Sequence, residues 1–392
     1  MSERELDLVL FGATGFVGTL TAEYLAGRKP ARWAIAGRNR DKLASLGIDA
    51  PIVVSDAMEP AQCAELARRT RVVCTTVGPY SKYGSALVAA CAEAGTHYCD
   101  LTGELHWMRA MIDAHHERAK QTGARVVHTC GFDSIPSDLG TWATQQEFKS
   151  RFGRYADKVT AFFGETSGGL SGGTAASGFA IAETMSDPAV RRVLGNPYAL
   201  DPDPDGPHPR VDTRQVGWDP GLKVFFVPFF MAATNGPVVR RAHALAGHPW
   251  GQDFTYREVM STPGNARGAV MAATITAGLA GLAAAMKRPA LRAMLQKRAP
   301  KPGEGPSLEA RERGHWKVRF VAEGGGQRLV YVAADPAGDP GYASTAKMLG
   351  ESALCLAYDA LEGPGGVQTP SIAMDGALLA RLRTAGLIFE PV

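Results

Sequence analysis

Three glycines, Gly12, Gly15 and Gly18, follow the apolar run Leu8-Val9-Leu10-Phe11 and precede a segment whose apolar residues recur at helical spacing. Strand, tight turn and helix in that order make a phosphate cradle. Gly12 allows the turn, Gly15 lets the main chain approach a pyrophosphate, and Gly18 lets the helix lie close on the strand. The amides of the first helical turn and the helix dipole then face the anion. Gly12, Thr14, Gly15, Phe16, Val17 and Gly18 are therefore candidate cofactor contacts. A glycine turn that binds nothing has the same composition and stands as the alternative. About twenty residues on, the second apolar run ends in Ala36-Gly37-Arg38 with no acid where one would hold the ribose hydroxyls of NADH. Arg38, followed by Arg40 and Lys42, instead offers a guanidinium for a 2′-phosphate, which favours NADPH; an exposed basic helix start is the plainer reading.

Further chemistry-bearing residues follow later apolar runs. Ser55-Asp56 offers an adenine-side contact through Asp56. Val77-Gly78-Pro79-Tyr80 makes a turn where the nicotinamide end would lie, and Tyr80 is a candidate proton donor or a packing residue. Asp100-Leu101-Thr102-Gly103-Glu104 contains a carboxylate at a strand end, yet Asp100 or Thr102 equally suits the cap of a helix starting near Leu105. In Gly131-Phe132-Asp133-Ser134, Asp133 is a candidate catalytic carboxylate in the floor of a cleft, or a cap for the helix that follows.

Those residues need a frame. Strand patterns at Leu6–Phe11, Trp33–Ala36, Ile52–Val54, Val72–Thr76, His97–Cys99 and Arg125–Val127 alternate with helical patterns at Gly15–Ala26, Asp41–Leu46, Pro60–Arg69, Gly84–Ala94 and Leu105–Thr122. Such alternation predicts an α/β fold, a Rossmann doubly wound parallel sheet, with ligands beyond the carboxyl ends of its strands. The 392 residues leave room for a second, α+β domain. We divide the chain into 1–140, an NADP-binding Rossmann domain; 141–340, an α+β substrate and dimerisation domain; and 341–392, whose C-terminal helix packs back on the first domain.

Net charge is +3, which gives no electrostatic case for nucleic acid. Six cysteines without a C-x-x-C pair suit a reducing compartment, and the charged N-terminus running into the first strand leaves no room for a signal peptide, so a cytoplasmic location is expected. The histidines lack metal-ligand spacing, and no metal is expected.

The motifs taken together resemble the saccharopine dehydrogenase-like oxidoreductases, and within them the branch that includes the mycobacterial trans-acting enoyl reductases. Gly12–Gly18, Ala36-Gly37-Arg38, Val77–Tyr80, Tyr98–Glu104 and Gly131–Asp138 carry the resemblance, with Ser171–Thr174, Gly341-Tyr342 and Thr345–Leu349 further on. It implies NADP binding, a second α+β domain and hydride transfer to an unsaturated polyketide or lipid acyl chain carried by a synthase. It assigns no catalytic residue. The middle of the chain does not resemble the compact amino-acid-binding region of the saccharopine enzymes themselves.

In the second half, the glycines of 167–174 before a helical pattern at Ala175–Met185 form either a hinge or an oxyanion-binding turn through Gly172, with Gly131 a second such candidate. Lys223–Met231 is an aromatic strand broken by Pro228 that can wall an apolar pocket. Residues 300–306 have linker composition, and His315–Glu323 with Arg328–Ala334 reads as a β-hairpin. Gly268–Met286 carries no charge over 19 residues and is flanked by Arg267, Lys287 and Arg288. A buried core helix, a lipid-docking helix and a membrane span all fit.

The expected activity is NADPH-dependent reduction of an enoyl thioester, on an acyl carrier or CoA, in partnership with a polyketide synthase. A saccharopine-type C=N reductase and a non-catalytic NADP-binding scaffold on a lipid surface are the alternatives. A homodimer and peripheral membrane contact are further expectations.

Overall fold

Six short apolar runs become the strands of one parallel sheet: β1 (Leu6–Phe11), β2 (Trp33–Gly37), β3 (Ile52–Val54), β4 (Thr70–Thr75), β5 (His97–Cys99) and β6 (Arg125–Val127). In the computed structural model, which describes residues 4–167, 179, 183–212, 215–298, 309 and 313–392, a seventh strand, β13 (Gly366–Gln368), adds beside β6. The order is β3-β2-β1-β4-β5-β6-β13, the doubly wound arrangement with its crossover between β1 and β4. Every residue of β1 and β2 is buried, as strands covered by helices on both faces must be. Helices α1 (Phe16–Arg28) and α12 (Ala343–Tyr358) pack together, and α12 also reaches β1, β4 and β5. Helices α3 (Pro60–Arg69), α5 (Ser85–Ala94) and α6 (Leu105–Thr122) pack in series on one another.

The second sheet is mixed. It contains β7 (Lys158–Ser167), β8 (Gly217–Asp219), β9 (Val224–Pro228), β10 (Thr255–Pro263), β11 (His315–Gly324), β12 (Gln327–Asp335) and β14 (Ile388–Pro391), in the order β14-β12-β11-β7-β10-β9-β8. The hairpin β11–β12 closes on Gly325 and Gly326, at φ +56° and +75°, the left-handed pair that a two-residue turn between twisted strands requires. Helix α7 (Ile135–Phe152) joins the two sheets. Its Gly140 lies so close to β11 that a Cβ there would stand 2.5 Å from the Phe320 ring. One continuous apolar core runs from Leu8 and Leu10 of the first sheet through Ile135 and Leu139 to Val318 and Phe320 of the second.

The C-terminal segment stitches both sheets. β13 extends the first and β14 the second, with α13 (Pro370–Thr384) between them. Asp138 of α7 accepts from both Ser371 N and Ser371 Oγ at 2.7 Å, and burial pushes its carboxyl up to about 6. These strands are too short to show periodicity in sequence.

One expectation is overturned. The apolar helix α10 (Ala266–Met286) is not a core helix: its most apolar stretch is only 6% buried. It rests on β9 and β10 through a narrow stripe in which Gly268 and Ala272 are buried, while residues 280–284 are exposed on every side. Gly168–Thr174, the greater part of 175–185 and the linker at 300–306 lie outside the described residues.

Candidate cofactor and active site

The N-terminal turn separates its three glycines by task. Gly12 sits at φ +94°, and a Cβ there would stand 2.7 Å from Val77 Cγ2. Its carbonyl accepts from Gly15 N and from Thr76 Oγ1, both at 3.0 Å, which ties the turn to the end of β4. A Cβ on Gly18 would overlap the Gly12 carbonyl oxygen. The protein's own packing therefore requires Gly12 and Gly18. Gly15 is different: it has φ −75° and ψ 163°, which any residue adopts, and its nearest neighbour to a Cβ is Gly12 O at 3.5 Å. What a side chain at Gly15 would obstruct is an approach from solvent to the helix N-terminus. The first intrahelical bond runs from Thr19 N to Gly15 O, so the amides of Phe16, Val17 and Gly18 precede the ladder and face that approach. Thr14 is exposed at the rim, and the Phe16 ring meets Tyr342 edge-on at 4.8 Å. A dinucleotide's pyrophosphate fits this cradle.

At the end of β2, Gly37 O accepts from Ser55 N at 3.1 Å, which sets the β2 and β3 ends side by side. Arg38 is exposed there and has no ion pair or hydrogen bond among the described residues. Asp56 closes its own turn by accepting from Met58 N at 3.0 Å, and its amide donates to Gln62 Oε1 at 2.8 Å. The Ser55 hydroxyl is buried without a partner among the described residues, a polar atom beside Gly37 that a bound ribose or adenine can satisfy.

At the carboxyl ends of β4, β5 and β6 stands a buried polar frame. Asp100, fully buried, accepts from Tyr98 OH at 2.8 Å, Thr102 N at 3.0 Å and Thr129 N at 3.2 Å, and it pairs with His128 Nδ1 at 2.8 Å. It holds Thr129 at φ +64° and locks the β5 and β6 loops together, which is a different role from capping α6. The Thr102 hydroxyl accepts from Glu104 N, and α6 has no side-chain cap. Glu104, also buried, accepts from Tyr80 N at 2.7 Å and Ser81 N at 3.0 Å, an anion at the N-terminus of the short helix α4 (Tyr80–Tyr83). Together with Gly78 and Pro79, this pins the β4 loop to the β5 loop.

Tyr80 belongs to that frame. Its ring stacks on Trp107, its hydroxyl donates to Thr75 O at 3.1 Å and accepts from Leu101 N at 3.4 Å, and burial together with the Asp100 carboxylate holds its phenol well above the ordinary range. This geometry gives the candidate donor structural work beneath the site.

Asp133 has the opposite character. It is half-buried in the loop between β6 and α7, at the same carboxyl end of the sheet as the glycine turn. It has no hydrogen-bond partner among the described residues, and burial alone pushes its carboxyl up to about 6. It caps nothing: the following Ser134 donates to Asn235 Oδ1 at 2.8 Å, and α7 begins without a side-chain cap. Phe132 N donates to Thr345 Oγ1 at 3.1 Å, so the start of α12 fixes the loop from the far side.

One feature had no signal in the sequence. Asn235 donates to Glu258 Oε2 at 3.1 Å, and Tyr256 OH donates to Glu258 Oε1 at 2.5 Å, making a buried chain from Ser134 into β10. Burial pushes the Glu258 carboxyl up to about 7. Beside it, Phe132 meets Phe163 and Trp316 edge-on, Phe163 stacks on Phe229 at 4.2 Å, and Phe229 meets Phe230, which is 55% exposed. An aromatic row thus leads from the residue next to Asp133 out to solvent.

The frame of glycine turn, unpaired arginine and interlocked strand-end loops agrees with what the chain is similar to. The sequence model of the saccharopine dehydrogenase NADP binding domain matches residues 8–127. A trans-acting enoyl reductase of Mycobacterium ulcerans is 42% identical over 419 residues, covering 99% of this chain and 98% of that one. One of Mycobacterium tuberculosis is 40% identical over 411 residues, with the same coverage of each. The chain belongs to the trans-acting enoyl reductase branch of the saccharopine dehydrogenase-like oxidoreductases. This reductase is an NADP(H)-dependent oxidoreductase. It shares its fold with saccharopine dehydrogenase (L-Glu forming) of Saccharomyces cerevisiae, at a TM-score of 0.54 and 12% identity, over 98% of this chain and 99% of that one.

Proposed function

We propose that the protein reduces the carbon–carbon double bond of an enoyl thioester presented on an acyl carrier or on CoA by a polyketide synthase. Bound NADPH supplies the hydride that ends on the β-carbon. The electron pair of the double bond moves onto the thioester oxygen, and a proton is added at the α-carbon. The Asp133 carboxyl, whose hold on its proton is strengthened by burial, is the donor we assign, in place of Tyr80. The Gly131 amide, which has no partner among the described residues, is the donor we assign to the thioester oxygen. Ser134, Asn235 and Thr345 hold that loop in position.

The observation that carries this reading is the aromatic row from Phe132 to Phe230, a wall for an acyl chain. The C=N alternative needs cations to hold an amino-acid carboxylate. Arg240 and Arg241, which the second domain contributes, are instead buried on the carbonyls of Tyr256, Leu200 and Val367, and Arg257 pairs with Asp212. The scaffold alternative leaves a raised, unpaired carboxyl in the cleft without a task.

The test follows NADPH oxidation with enoyl-carrier and enoyl-CoA substrates, and separately with a 2-oxo acid plus an amino acid. We expect turnover on the thioesters alone. Turnover only on the oxo acid and amine would replace this reading with imine reduction, and none on either would leave the scaffold.

Cofactor choice is assigned to Arg38. Arg38→Ala is expected to raise the NADPH dissociation constant by more than about tenfold, the loss of roughly one charge-assisted pair, and to change NADH binding by less than about twofold. Isothermal titration with both dinucleotides reads the difference, and equal losses would remove the 2′-phosphate from the argument.

A further inference from the structure

Helix α10 presents a surface that the hydride-transfer site does not use. Among its side chains, Val270 is 68% exposed, Met271 49% and Leu282 48%, so large apolar groups face solvent along its length. Charge around the helix is one-sided. Residues 259–303 carry seven basic side chains, Arg267, Lys287, Arg288, Arg292, Lys297, Arg298 and Lys301, and no acidic one. Since the chain as a whole is +3, the remainder carries −4, and the positive charge of the molecule is gathered at this excursion. The following helix, α11 (Pro289–Arg298), repeats the combination, with Met294 exposed among its basic residues.

Topology decides between lying on a bilayer and crossing it. The 21 residues of α10 are about 31 Å long, enough to span the hydrocarbon. But β10, which leads into the helix, and β11, to which the chain returns, both flank β7 in one sheet. The two ends of the excursion are therefore on the same side of any membrane, and a crossing would need a second one to return. The 28 residues 287–314 contain eleven charged side chains and cannot supply it. A helix that is apolar, exposed, flanked by cations and unable to cross fits the boundary of headgroups and acyl chains.

The geometry points to α10 and α11 as a monotopic docking surface for an anionic bilayer. Alanine and glycine make up most of α10, so its apolar contribution per residue is small and the contact is reversible, with the basic residues selecting negatively charged lipid. A short water-soluble substrate reaches the active site without this surface, so the inference stands or falls separately from the assignment of the reaction.

Flotation of the full-length protein with vesicles tests it. Phosphatidylcholine vesicles with phosphatidylglycerol as about a third of the lipid are expected to carry at least about tenfold more protein than phosphatidylcholine alone, and to release most of it at about 0.5 M NaCl. Val270→Glu with Leu282→Glu, both at exposed positions, should abolish flotation, and Lys287→Glu with Arg288→Glu should reduce it by at least about tenfold. NADPH titration of each variant confirms that the protein is folded. Vesicle binding that ignores lipid charge, or no binding at all, overturns the proposal. So does resistance of residues 287–314 to protease added outside the vesicles, which would place them across the bilayer. A dimer in light scattering that Val270→Glu dissociates, without vesicle binding, would make a second copy of the chain the occupant instead.

Discussion

Gly15→Ala is expected to leave the protein folded and to raise the NADPH dissociation constant at least about a hundredfold, roughly 2.7 kcal/mol. The backbone there already has dihedrals that alanine adopts, and the added methyl would find only Gly12 O, at an ordinary 3.5 Å. Alanine is a poorer helix cap than glycine, which costs about 0.5–1 kcal/mol and lowers the melting temperature by about 2 °C. The methyl would nevertheless stand between the pyrophosphate and the helix amides. Gly18→Ala is the contrasting variant. Its methyl meets the Gly12 carbonyl, a backbone atom that cannot swing aside, so about 1–3 kcal/mol of stability goes with it. Calorimetric melting and NADPH titration on both variants separate a glycine kept for the ligand from one kept for the fold. If Gly15→Ala bound NADPH as well as the native protein does, the dinucleotide would have to lie elsewhere.

The parts of this molecule that were legible in sequence are those set by neighbours in the chain. The strands at Leu6–Phe11, Ile52–Val54, His97–Cys99 and Arg125–Val127 fall on the expected residues, because an apolar run bounded by turn residues is local information. The glycine turn was legible for the same reason. What required the fold was partnership over long separations. Asp100 suited a helix cap by its position, yet its partners include His128 and Thr129, on the loop after another strand. Tyr80 has the right functional group for proton donation, and only the proximity of Thr75, Leu101 and Trp107 shows that it is spent on packing. Composition described Gly268–Met286 correctly as uncharged and apolar but could not state what covers it. That depends on the distance between the helix and the sheets. The chain Ser134, Asn235, Glu258 and Tyr256 had no signal at all, since a polar residue inside a helix or strand reads as a surface position until its neighbours close over it.

Asp133 is where the chemistry is most exposed to test. A carboxyl pushed up to about 6 by burial is protonated in about a tenth of molecules at pH 7, against fewer than about one in a thousand for an ordinary aspartate, and only that form can give a proton to the α-carbon. The sign follows directly. Reduction should be fastest below about pH 6, and kcat/KM should fall by up to about tenfold per pH unit above it. The charge of the bound dinucleotide holds the proton more tightly still, so the profile of kcat should break at a higher pH than that of kcat/KM. Asp133→Asn keeps the shape of the side chain and removes the acid. It should lower kcat by about 10²–10⁴-fold, leave NADPH binding within about twofold, and flatten the pH profile. Tyr80→Phe is the matched control: losing its bond to Thr75 O should cost about 1 kcal/mol of stability while kcat stays within about threefold. If Asp133→Asn retained full activity with the same pH dependence, the proton would come from another group. If Tyr80→Phe instead showed the hundredfold loss, the donor would be the phenol after all, and the loop between β4 and α4 would have to open during turnover to expose it.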